Sequence, residues 1–249
     1  MNTLSAVILV KNEEKNIQRC IESLDFADEI IIIDDFSVDK TLQIARKYKT
    51  KILNRQLNDN FASQRNFGLK KATCEWVLFI DADEIVTAEL KSEIIKNVND
   101  TTYKAFYLQR RDVFMGKTMR AGEWGKKKLL RLAKKDSGVW TRAVHEYWDV
   151  NEKAGLLHSP LLHFPHATLS EFIGSIDFYS TLHSSEHNKV GVKPNLIKIV
   201  VYPALKFIDN FFVRGGFRDG VYGFVFSVMM SFHSFLAWSK LYIKKSAKK

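Results

Sequence analysis

The chain has 249 residues, 46% of them hydrophobic and 27% charged, with a formal net charge of +10. That composition excludes a disordered, collagen-like or low-complexity chain, and the two cysteines, Cys20 and Cys74, exclude a disulfide scaffold or a Cys-based zinc finger. The charge is lopsided: residues 189–249 hold 11 Lys or Arg against two Asp, and the rest is close to neutral. Because this basic quarter is also rich in phenylalanine, an anionic membrane surface is the expected partner rather than nucleic acid. The first residues lack a basic stretch and a long apolar run, so no signal peptide is expected there.

Strand and helix signals alternate through the first hundred residues. Leu4–Val10, Glu29–Ile33, Lys51–Leu53 and Trp76–Ile80 read as short apolar strands; Ile17–Leu24, Asp39–Tyr48 and Phe61–Lys71 read as helices. Continuous apolar strands joined by helices imply an α/β fold, a Rossmann-like mostly parallel sheet with helices on both faces. Such sheets place ligands at the carboxyl ends of their strands. Ala105–Arg111 and Lys128–Leu132 are further strands, in a glycine-punctuated stretch that extends the same sheet. From Ser170 the pattern is helical. The expected organisation is a catalytic domain over 1–169, with a nucleotide-binding half at 1–100 and an acceptor and metal half at 101–169, followed by a helical membrane-associating region at 170–249.

Three strand ends are acidic or polar: Lys11-Asn12-Glu13-Glu14, Asp34-Asp35-Phe36-Ser37 and Asp81-Ala82-Asp83-Glu84. In a parallel sheet these clusters meet along one edge. Carboxylates at i and i+2, such as Asp81 and Asp83, repel each other unless a divalent cation takes their oxygens, and that cation also accepts a diphosphate. The plainer reading is a solvated turn with Asp83 capping a helix. Asp34 and Asp35 could accept hydrogen bonds from a nucleobase or ribose, or only shape a turn with Ser37 and Asp39. Asn12 and Glu13 also make a good helix start. Arg65, on the Phe61–Lys71 helix, could approach an anionic donor or simply be exposed.

VILVKNEE, IIIIDDFSVDKT, FASQRNFGL and WVLFIDADE, in this order over residues 3–90, resemble the family 2 glycosyltransferases with the GT-A nucleotide-sugar fold. The resemblance implies that Asp35 holds the uridine of a UDP-sugar. It implies that Asn12 and Glu13 line the nucleotide pocket, and that Asp83, with Asp81, faces a Mn2+ or Mg2+ diphosphate. It further implies an inverting transfer with one base and no covalent intermediate. TRAVHEYW, LLHFPH and RGGFRDGVYGF look like a bacterial subgroup similar to transferases adding glucose or a related hexose to lipopolysaccharide core or other envelope glycans. There the resemblance places a functional Val-His-Glu, which makes Glu146 the candidate base; pairing with Arg142 is the structural alternative. His163 is a candidate further metal ligand, with His145 and His166 as competitors, or else a buried histidine. Trp124 and Trp140 could stack on a sugar or plug the core.

Asn195–Val213 reads as an apolar helix with a narrow polar stripe, bent by Pro203. Residues 220–239 carry no formal charge, a length that could span a bilayer. A single crossing would put Lys240, Lys244, Lys245, Lys248 and Lys249 on the side opposite a cytosolic catalytic domain, against the positive-inside tendency. Helices lying on the cytoplasmic face are therefore preferred. The alternative functions are a non-catalytic nucleotide-binding membrane scaffold and a nucleotidyltransferase. The second would need a glycine-rich loop after the first strand, and Lys11–Glu14 has no glycine.

Overall fold

The computed structural model describes residues 2–99, 102–125, 127–143, 146–166 and 168–246. In chain order the elements are β1 (Leu4–Val10), α1 (Ile17–Glu22), β2 (Glu29–Asp34), α2 (Thr41–Ala45), β3 (Lys51–Asn54), α3 (Phe61–Lys71), β4 (Trp76–Asp81), β5 (Glu84–Val86), α4 (Ala88–Asn99) and β6 (Ala105–Phe114). They continue with β7 (Lys117–Thr118), β8 (Lys127–Lys134), β9 (Gly138–Thr141), β10 (Tyr147–Val150), β11 (Ala154–His163), α5 (Leu169–Lys189), α6 (Leu196–Ile208) and α7 (Val221–Ser246). The chain forms two compact units, Met1–Arg110 with Lys127–His163, and Arg111–Lys126 with Phe164–Lys249.

The first unit is built on a sheet of order β3-β2-β1-β4-β8-β6-β11-β5. β1 pairs in parallel with β2 and β4, and β2 with β3; β8 runs antiparallel to β4. Side chains of a strand alternate between faces. Leu4, Ala6, Ile8 and Val10 therefore pack with Ile17, Cys20, Ile21 and Leu24 of the α1 region and Leu90 and Ile94 of α4 on one face. Val7, Ile31 and Ile33 pack with Ala62 and Leu69 of α3 on the other, beside Phe79, Trp140 and Trp148. Both faces are covered, as the apolar runs require. Gly68 sets how closely α3 approaches β1, since a Cβ there would sit 2.6 Å from Val7 Cγ1. Helix α3 opens on Asn60, whose side chain caps the Ser63 amide at 2.9 Å.

The predicted helix at 39–48 shortens to Thr41–Ala45, because Asp39 turns back to bond the Thr41 amide and hydroxyl. The helix expected after Asp83 begins only at Ala88, beyond β5, and its buried Leu90, Ile94 and Val98 recur at i, i+4, i+8. The short antiparallel pair β9–β10 was missed. Glycine and tryptophan in a short segment carry little period-2 signal.

In the second unit, α5 and α6 both pack against α7. Phe114, Met119, Phe172, Ile176 and Phe226 form its core, with Trp124 packed against them. Gly223, Ser227 and Ser231, four residues apart, form a stripe of small residues on α7; Gly223 and Ser227 are buried, and Ser231 Oγ donates to the Pro203 carbonyl oxygen at 2.8 Å. Helix α7 is long and apolar enough to cross a membrane by length and composition, yet this stripe is engaged with protein.

Candidate active site

The site grows from the carboxyl ends of β1, β2 and β4. At the end of β1 the backbone turns sharply and Asn12 takes φ +56°, a conformation asparagine tolerates better than most residues. The turn is tied to β2: the Asn12 amide donates to Ser37 Oγ at 2.9 Å, and the Val38 amide donates to Asn12 Oδ1 at 2.8 Å. The Glu13 amide donates to Thr41 Oγ1 at 2.7 Å. Asp34, fully buried, accepts from the Ser37 amide at 3.1 and 3.2 Å, so it shapes the turn. Asp35 accepts from Lys11 Nζ at 2.6 Å and from the Leu57 amide at 2.9 Å. Burial pushes the Asp35 carboxyl up, but these bonds hold it below its ordinary value.

Asp81 ends β4 between two arginines. Arg65 Nη2 donates to one carboxylate oxygen at 2.8 Å and Arg131 Nη2 to the other at 2.9 Å. Burial works against ionisation, but Arg131 and Arg65 outweigh it and hold Asp81 far below the usual carboxylate range. The two carboxylates of the strand end therefore differ: Asp81 has its oxygens occupied by guanidinium groups, and Asp83 does not share them. Arg65 is 3% exposed and also reaches Glu146, its Nε donating to Oε1 at 3.0 Å. Glu146 is thus anchored by Arg65 in this structure, while Arg142 lies 5.2 Å from the Tyr147 ring. The Arg65 guanidinium rests 4.7 Å from the Trp140 ring, and that of Arg131 5.7 Å from it. Trp140 itself is buried against Phe79 and Trp148, a core role rather than an open sugar platform.

Asp83 faces His163, with Oδ2 to Nε2 at 3.1 Å. Strand β11, paired antiparallel with β5, sets His163 opposite Glu84 in register and so beside Asp83. The fit to a divalent cation can be tested on that distance. Two donors bound at about 2.1–2.2 Å in neighbouring octahedral positions lie about 3 Å apart. A carboxylate oxygen and an imidazole nitrogen also suit a manganese-like ion. Among the described residues no group of three or more His, Cys, Asp or Glu is placed to hold a metal. His166 instead stacks on Phe172, ring centroids 5.0 Å apart; His145 lies outside the described residues.

Glu13 shares this acidic neighbourhood. Burial pushes its carboxyl up, a hydrogen bond from Asn16 opposes the shift, and the charges of Asp83, Asp39 and Asp81 add to it. The tips of β1 and β4 are therefore close enough to repel.

Three contributors escaped the sequence reading. Lys11 and Arg131 sit where nothing but tertiary structure pairs them with Asp35 and Asp81. Glu84, directly after the acidic triplet, is fully buried. It accepts from the Asp81 amide at 2.9 Å, and Arg110 Nη1 lies 3.7 Å from its other oxygen. Burial and then the charge of Asp81 push its carboxyl up to about 7, against Arg131. Folded protein thus keeps a proton that the unfolded carboxyl, near 4.5, has released. The contribution of Glu84 to stability is full below the unfolded value and is lost as pH rises through about 7, by at most about 3 kcal/mol. In chelated protein, Glu84→Gln should flatten the fall in urea midpoint between about pH 5 and 8; an unchanged slope would place the titration elsewhere.

The site thus combines an α/β sheet with acidic tips on its parallel strands, an Asp-x-Asp at the end of β4 and a histidine brought up by a later strand. The comparisons with known proteins give the family. The family described as Glycosyl transferase family 2 matches residues 5–151, and the chain belongs to that family. It is 27% identical over 256 residues to the lipopolysaccharide core biosynthesis glycosyltransferase LpsC of Rhizobium meliloti, covering 98% of this chain and 94% of that one. A Rickettsia typhi glycosyltransferase is 28% identical, covering 97% and 87%. Among solved structures, S. aureus TarS 1–349 in complex with UDP-GlcNAc has a TM-score of 0.50 at 14% identity, covering 99% of this chain and 92% of that one. The mannosyltransferase PcManGT of Pyrobaculum calidifontis, in complex with GDP-Man and Mn2+, also gives 0.50 at 14%, covering 98% and 88%. These likenesses establish the GT-A fold.

Proposed function

We propose that this protein transfers a hexose, with glucose the first donor to test, from a UDP-sugar to a hydroxyl of a cell-envelope glycan or lipid-linked acceptor. Lipopolysaccharide core is the favoured acceptor, because LpsC is among the relatives that share nearly its whole length. The observation that carries the reading is the Asp83–His163 pair, at 3.1 Å, standing beside the Arg65-linked Asp81 and Glu146.

Asp83 and His163 would hold Mn2+ or Mg2+. Bound there, the cation would neutralise charge on the departing diphosphate. Asp35, with Asn12 and Glu13, lines the nucleoside end. Asp81 serves the donor side indirectly: with its charge matched by two guanidinium groups, it keeps Arg65 extended across the site. Glu146 takes the proton of the acceptor hydroxyl as that oxygen attacks the anomeric carbon from the face opposite the leaving diphosphate. One base and one displacement give inversion. The protein works at the cytoplasmic membrane's inner face, held peripherally by its C-terminal helices, where a lipid-anchored acceptor is presented.

The test is a nucleotide-sugar panel with candidate acceptors, reading released nucleoside diphosphate with Mn2+, with Mg2+ and with EDTA. UDP release that depends on both acceptor and cation is expected. Absence of release from every donor would turn the reading to a non-catalytic nucleotide-binding scaffold.

A further inference from the structure

Between α6 and α7 the chain folds into a compact knuckle, a π-helical turn at Asp209–Val213 followed by a 3-10 turn at Gly216–Asp219. Gly215 (φ +74°) and Gly220 (φ +63°) make its reversals. A Cβ on Gly223 would lie 1.9 Å from the Gly216 carbonyl oxygen, so α7 meets the knuckle at backbone contact. Buried Asp219 accepts from the amides of Arg120 and Ala121 at 3.0–3.1 Å. The Gly122 amide donates to the Arg214 carbonyl oxygen at 3.0 Å, and the Glu123 amide donates to Asn210 Oδ1 at 3.1 Å. The RGGFRDG segment is thus a clasp that fixes the surface it presents.

That surface is apolar. Phe212 is 58% exposed, Val213 75%, Phe217 50% and Phe224 49%. The rings of Phe212, Phe217 and Phe224 lie 5.0, 6.4 and 5.8 Å from the ring of Phe211. These three open phenylalanines therefore gather around one centre. Helix α6, which leads into the knuckle, is strongly apolar and has no buried residue. Three exposed arginines accompany them. Arg214 pairs with Asp209 at 2.7 Å; Arg120 and Arg218 have no carboxylate partner among the described residues. The Asp219 carboxylate is spent on backbone amides.

A rigid apolar patch of this kind marks an interaction surface. Its charge selects the partner: residues 189–249 hold 11 basic and two acidic residues, which suits an anionic bilayer. We propose that the 209–224 knuckle is the docking point on an anionic phospholipid surface. Phe212, Phe217 and Phe224 enter the boundary between headgroups and acyl chains, and Arg120 and Arg218 meet the lipid phosphates. The inference rests on the peripheral membrane reading above and gives it a location.

The experiment uses the full chain and vesicles of phosphatidylcholine with or without phosphatidylglycerol. Phe217→Trp should show a blue-shifted emission on phosphatidylglycerol vesicles, quenched by brominated acyl chains. The Phe212→Ser, Phe217→Ser double variant should bind those vesicles at least about tenfold more weakly while keeping the wild-type melting temperature. Arg120→Gln with Arg218→Gln should cost about tenfold or more, an effect that salt removes in the wild type. Wild-type binding with an unshifted Phe217→Trp and a normally binding double variant would overturn the knuckle and leave peripheral binding standing. No wild-type binding, or self-association without vesicle binding, would overturn both.

Discussion

Replacing Glu146 with Gln is expected to lower kcat by about 10²–10⁴-fold and to leave the KM for the UDP-sugar near its wild-type value. Glutamine keeps the length of the side chain, and its carbonyl oxygen can still accept from Arg65 Nε, which stands 3.0 Å from Glu146 Oε1. What it loses is the ability to take a proton. A fall in kcat with donor binding intact is the signature of a group acting in the transition state and not in holding the ground state. Steady-state kinetics, paired with UDP binding by calorimetry, make the distinction. A variant that turns over normally would return Glu146 to the rank of an ion-pair partner for Arg65. A variant that loses UDP binding as well would show that the Arg65–Glu146 bond shapes the donor pocket.

The parallel half of the sheet could be read from the sequence because its signals are local. Buried strands such as Leu4–Val10 are continuous apolar runs, and the polar residues that follow them mark where each strand leaves the core. Asp83 and His163, 80 positions apart, were both named as candidates, one from a motif and one from a family likeness. Their 3.1 Å approach depends on the antiparallel pairing of β11 with β5, which no local pattern reveals. The same holds for Arg131. Its position on β8 looks like any basic residue of a strand, and only the pairing of β4 with β8 brings it onto Asp81. Glu84 is the opposite case: its neighbours in sequence were visible, but a third acidic residue in Asp81-Ala82-Asp83-Glu84 suggests a ligand, whereas the fold buries it.

Asp81 and Asp83 should respond differently to substitution although they are two residues apart, and the contrast tests the division of labour between them. Asp83→Ala is expected to lower kcat/KM by about 10²–10³-fold, the effect of losing several kcal/mol of charge stabilisation at the diphosphate. His163→Ala should act in the same direction, and both should weaken Mn2+ binding followed by electron paramagnetic resonance. Neither should cost much stability, because removing either side chain leaves no buried arginine without its partner. Asp81→Asn does. It removes the negative charge between Arg65 and Arg131, whose side chains are 3% and 8% exposed, and leaves two guanidinium groups facing each other. Asp81 is itself 29% exposed, so water offsets part of the loss, and roughly 2–3 kcal/mol is expected, short of the full cost for a buried pair. Urea unfolding of the chelated protein reads that loss directly. If Asp81→Asn instead abolished Mn2+ binding at unchanged stability, Asp81 would be a ligand and the arginines would have to move away from it when the cation enters. If Asp83→Ala kept its Mn2+, the 3.1 Å pair with His163 would be an ordinary ion pair, and the cation would have to be held elsewhere among the acidic strand tips.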